Sequence, residues 1–184
     1  MEKEYLKVLK LNKYNNLFYK LYKISQNLLF FVLFFCLINF QKSLSFLSLF
    51  ETVTPNIISI ILYLLMIRFS INPSNTLLFF IGLTHDIMSG DNIGTTSIFL
   101  LLLKFFSNSI VFEKIIKNKQ QEWITFTIIF ISSFSIVFLL NMIINLSVPD
   151  LSPIFFHVGI TLILFPIINI GISFFIFVTQ LIKS

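Results

Sequence analysis

Two aspartates and two histidines are the side chains in this sequence best suited to chemistry. Asp86 stands inside the apolar run FFIGLTHDIMSGDNIG, residues 79–94, with His85 beside it; Asp150 lies between Pro149 and Pro153. Brought to one face, the two acids would form a carboxylate pair, sharing a proton and activating water as aspartic peptidases do. The plainer alternative for Asp86 is structural. It would accept backbone N–H groups of the Ser89–Gly94 turn, or cap the next helix, whose N-terminal dipole favours an anion. His85 reads as a polar neighbour at the interface, and His157 has no evident partner in sequence. Two histidines and scattered acids lack metal-ligand spacing. The one cysteine, Cys36, sits in an apolar run and allows neither an intrachain disulfide nor a cysteine metal cluster. No Ser/His/Asp order, P-loop or Rossmann fingerprint is present, so neither an enzyme nor a cofactor is expected.

The elements that position Asp86 must be membrane helices. Hydrophobic residues make up 57% of the 184 and charged residues only 11%, against about 25% charged in soluble domains. The 25 phenylalanines, with abundant Ile, Asn and Lys, reflect an AT-rich coding bias. The net charge of +5 comes from lysines that bracket apolar segments. Anionic lipid, not nucleic acid, is therefore the expected partner of that charge.

In chain order, residues 1–23 form a basic tail carrying six lysines. Its leucines fall at spacings of three and four, which fits either an interfacial helix or a solvated tail. No small-residue cleavage site follows the first apolar run, so a cleavable signal peptide is not expected. Residues 24–184 read as one domain of six apolar segments, about 24–40, 55–71, 76–88, 93–110, 124–146 and 154–182. Pro55 fits the first turn of the second segment, and Arg68 near its end could snorkel to headgroups. Asn72, Pro73, Ser74 and Asn75 make a turn. Segments three and four are short and joined by a glycine-containing turn, a tight or re-entrant helical hairpin. Trp123 is placed as an interfacial anchor, and Pro166 should kink the last segment.

If six spans alternate sides, all but one of the 13 basic residues fall on one side, and Lys42 alone falls on the other. The positive-inside rule then makes both termini cytoplasmic. Asp86, Asp91 and Asp150 go to the outer face, where an acid costs less than the about 2.5–3.5 kcal/mol of a mid-membrane site. Gly82, Gly90 and Gly94 would let helices approach closely, and Gly90 could instead supply a positive φ in the turn.

Gly82–Leu83, Asp86–Ile87, Ser89–Gly90 and Ile93–Gly94, with Pro55–Asn56 before the run containing Leu62 and Tyr63, and with Pro166 in the last span, resemble the MreD family. These are integral-membrane subunits of the bacterial rod-shape (elongation) machinery. The match covers about residues 55–106, and the remainder by hydropathy. It departs in the long N-terminal tail, in the single Lys183 at the C-terminal end and in His85, where an apolar residue is more usual. The resemblance implies an all-α fold similar to the substrate-binding components of vitamin transporters. It implies a non-catalytic scaffold in the bacterial inner membrane, acting with MreC, MreB, RodZ, RodA and a penicillin-binding transpeptidase. Its structural or partner-binding residues would be Gly82, Asp86, Ser89, Gly90, Gly94, Pro55, Asn56, Tyr63, Arg68 and Pro166. Two other classes fit the same hydropathy: a small-molecule transporter component and, more remotely, an intramembrane aspartyl peptidase. Lipoprotein signal peptidases carry their acids in Asn- and Asp-containing motifs that THDIMSG and VPDLSP do not match.

Overall fold

The computed structural model describes residues 24–44, 53–69, 71–108, 118–146 and 151–183. The basic tail and Asp150 lie outside them. Six helices account for nearly all described residues: α1 (Ile24–Leu44), α2 (Ile57–Phe69), α3 (Asn75–Ser89), α4 (Thr95–Ser107), α5 (Lys119–Asn145) and α6 (Leu151–Lys183). They follow the six apolar segments closely. Three of them are long and apolar enough to cross a membrane, over Ile24–Leu44, Gln120–Asn145 and Leu151–Phe174. The other three have 13, 15 and 13 residues. At 1.5 Å per residue they reach only about 20 Å, short of a hydrocarbon core of about 30 Å. Of the six expected spans, three are long enough to cross; segments three and four are short, as expected, and α2 is short as well.

The short α2 forms the centre of the bundle. Ile58, Ile60, Leu62, Tyr63 and Leu64 are fully or almost fully buried. A helix apolar all round must be covered on all sides, and α4, α5 and α6 pack against it. Its polar start is matched locally. Asn56 caps the helix, its Oδ1 accepting from Ser59 N at 3.1 Å, so Pro55 falls just before the helix instead of in its first turn. At the middle of the core Tyr63 meets Phe126 and Phe165, whose rings stack with centroids 4.5 Å apart. Leu28, Leu29, Val32, Leu139, Ile143 and Ile167 stay exposed on the three long helices. Such a surface costs nothing against lipid tails.

Successive helices run up and down. One end of the bundle gathers the C-termini of α1, α3 and α5 with the N-termini of α2, α4 and α6; it is the Asp86 end. At the other, the Arg68 end, Arg68 pairs with Glu122 at 2.9 Å and donates to Ser173 Oγ at 2.6 Å. Asn169 Nδ2 donates to the same Glu122 oxygen at 3.1 Å, and Tyr63 OH donates to the Glu122 carbonyl at 3.2 Å. Arg68 is thus turned into the helix interface, not out to headgroups, because Glu122 offers an ion pair there.

Pro166 does not break α6, which continues through it. Proline deprives the carbonyl four residues back, Leu162 O, of its helical N–H. Trp123 Nε1 supplies the missing donor at 3.1 Å from α5. In lipid an unpaired carbonyl has no water to turn to, so the indole has this structural task as well as any interfacial one.

Candidate functional site: the Asp86 end

The last turns of α3 carry Leu78, Gly82 and Asp86 at intervals of four, one buried face of the helix. That face meets α4. Gly82 lies against the α4 backbone, so closely that a Cβ there would stand 2.3 Å from Ser97 Cα. Ser97 Oγ donates to Phe79 O at 2.9 Å and closes the same contact. Only glycine permits this approach, and α3 and α4 accordingly pack extensively against each other.

One turn further on, Asp86 is fully buried. The chain must reverse within five residues, and it does so through two left-handed glycines, Gly90 at φ 74° and Gly94 at φ 97°. Gly90 ends α3, its N–H bonding Asp86 O at 2.9 Å. Gly94 occupies the N-cap position of α4 and has no side chain with which to cap it. Asp86 supplies the cap from α3. Its Oδ2 accepts Gly94 N at 2.7 Å, and its Oδ1 accepts Thr96 N at 3.1 Å and Thr95 Oγ1 at 3.4 Å. Two orphan N–H groups and the positive pole of α4 thereby surround the carboxylate.

The three glycines therefore differ in purpose. Gly82 makes a close helix contact. Gly90 and Gly94 have no atom within 4 Å of a built Cβ and are needed for their positive φ. The expected packing role of Gly94 is corrected accordingly. His85 lies on the neighbouring face of α3, its Nδ1 3.2 Å from Thr96 Oγ1. Lys42 of α1 donates to Met88 O at the exposed C-terminus of α3.

Above this hairpin the six helix ends line an open cavity of about 600 Å³. Ser89 and Asp91 line it from the turn, and Asn56 from α2; Asn56 N donates to Thr161 Oγ1 of α6 at 3.0 Å and so ties two of its walls. His157 lines it from α6, its ring stacked on Phe134 of α5 at 5.8 Å. Of the site residues expected from sequence, Asn56, Asp86, Ser89, Gly90 and Gly94 come together at this end, with Pro55 buried beside Asn56. Gly82 lies one turn of α3 below Asp86. Tyr63, Arg68 and Pro166 do not join them; they belong to the core and to the Arg68 end. Sequence reasoning missed Ser97, Gln41, Glu122 and Asn169. Each is a polar residue in or beside an apolar run, and that was the available signal.

Among the described residues no three His, Cys, Asp or Glu side chains assemble a metal site. Asp86 has both oxygens engaged by α4 donors and no exposed surface through which to reach a water. The comparisons with protein-family models, with curated proteins and with solved structures found no match to this chain.

Proposed function

We propose that this chain is a non-catalytic membrane scaffold of the MreD type, joining wall-elongation proteins on the two sides of a bacterial inner membrane. The observation that supports this reading is the joining of the resembling motifs in space. Pro55–Asn56 and Gly82–Gly94, more than 25 residues apart in sequence, build one end of the bundle around a capped, buried Asp86. In this reading the Arg68 end and the basic tail face the cytoplasm, as the lysine distribution favours. The Asp86 end then presents the surface to an MreC-like partner, and MreB, RodZ, RodA and a penicillin-binding transpeptidase are reached through it. The short α2 is buried at the centre, while α3 and α4 keep Phe80, Ile87 and Phe105 exposed.

The test is recovery of an MreC-type partner with the tagged chain in mild detergent, together with rescue of rod shape in a strain depleted of its own MreD-type protein. Gly94→Leu should lower both, since it strains the turn at φ 97°. Normal shape rescue without any recovery of such a partner would refute the scaffold. A second reading, a substrate-binding component of a small-molecule transporter, is favoured by the 600 Å³ cavity. It requires co-purification of a transport ATPase, which the scaffold reading does not.

A further inference from the structure

We propose that the cavity at the Asp86 end is a binding site for a small, neutral, hydrogen-bonding molecule that offers an N–H or O–H donor to Gln41. Its volume of about 600 Å³ falls within the range of about 300–1,000 Å³ usual for small-molecule sites. Among the described lining residues only Lys42 and Asp91 carry full charges, one of each sign. The remaining polar lining is amide, hydroxyl and imidazole, including Asn92 and Asn141, groups that both donate and accept. The described lining thus favours neither sign of net charge in a ligand. Phe134, stacked on His157, adds a flat apolar wall.

Gln41 points to occupancy. It lines the cavity from α1, is only 6% exposed, and its Oε1 has no hydrogen-bond partner among the described residues. Buried polar atoms are almost always paired, and an unpaired one calls for an explanation. Leucine would fill a similar volume on an apolar helix without leaving a carbonyl unpaired. A glutamine kept there is explained by a donor that arrives with a ligand. Two chemical sources share this requirement, a monosaccharide and a flat amide heterocycle.

The experiment uses the purified full chain in detergent. Its thermal unfolding is followed with millimolar glucose, N-acetylglucosamine, nicotinamide or uracil, in wild type and in Gln41→Leu. At least one probe should raise the unfolding temperature saturably, and the pair that acts identifies the source. Gln41→Leu should weaken that probe's apparent Kd about tenfold, the effect of one lost hydrogen bond. Without probe, it should unfold at the same or a higher temperature, because an unpaired buried carbonyl is gone. Asn141→Leu should weaken the same probe and keep the fold. No stabilisation by any of the four probes, or equal stabilisation of Gln41→Leu, overturns the site. So does a Gln41→Leu protein that fails to fold, because Gln41 would then be structural. The measurement involves no partner protein, so its failure leaves the scaffold reading to its own test.

Discussion

Gly82→Ala is the sharpest perturbation of the α3–α4 contact. The added methyl carbon would stand 2.3 Å from Ser97 Cα, 2.4 Å from Ser97 N and 2.6 Å from Ser97 Oγ. Ordinary contact begins at 3.4 Å, so the helices must part by about 1 Å or more. Two of the three atoms are backbone, and no rotamer change relieves them. Overpacking of this kind costs about 1–3 kcal/mol. Parting the helices also stretches the Ser97–Phe79 bond, now 2.9 Å, worth about 0.5–1.5 kcal/mol. Alanine's better helix propensity returns up to about 1 kcal/mol. The net expectation is a loss of about 1–3 kcal/mol. Thermal unfolding in detergent reads it, with Gly171→Ala as the control. Gly171 is helical with nothing within 4 Å of its built Cβ, so alanine there should be neutral or stabilising. Equal unfolding temperatures for the two variants would refute the close-contact argument.

Asp86→Asn keeps one acceptor but turns an amide N–H towards a backbone donor of α4; a loss of about 1.5–3 kcal/mol is expected in the same assay. Arg68→Leu leaves the Glu122 charge with only the neutral Asn169 amide beside it and should cost about 3–5 kcal/mol, whereas Arg68→Leu with Glu122→Leu should recover much of it. Trp123→Phe should destabilise by about 1–3 kcal/mol through the orphaned Leu162 carbonyl. Adding Pro166→Leu, which restores the helical N–H, should cancel that loss. In a Cys36→Ser background, Lys10→Cys and Lys117→Cys should resist an impermeant external thiol reagent and Ser45→Cys should react; external labelling at position 117 would overturn the proposed orientation.

Several helix ends were legible because a residue type there gives a local reason to end the helix, although α5 ends at Leu146 with φ 49°, which no sequence signal marks. Asn56, Ser74 and Asn118 cap helix starts, and Gly90 closes α3. The Asp86 cap was legible for the same reason, since its donors lie only eight to ten residues ahead. Helix length was less so. Hydropathy counts the apolar flanks of α2 and α4 as part of each segment, although the helices stop at 13 residues. The glycines could be picked out but not sorted, because spacing carries no information on φ or on what faces a missing Cβ. Arg68 was placed correctly near a helix end and wrongly outward. Its partners are 54 and 105 residues away, and no local pattern records them.

That difference between local and distant bonds also divides the molecule mechanically. At the Arg68 end, Glu122 receives Arg68 of α2, Asn169 of α6 and the Tyr63 hydroxyl, so three helices are fastened at one residue of α5. At the Asp86 end the strongest polar bonds lie within the α3–α4 hairpin. Cross-links between other helices there include the bond from Asn56 to Thr161 and that from Lys42 to Met88. Among the described residues, then, the polar fastening of α2, α5 and α6 is concentrated at the Arg68 end. The Arg68 end thereby holds three helices in register through one carboxylate, whereas the Asp86 carboxylate holds two neighbours in sequence.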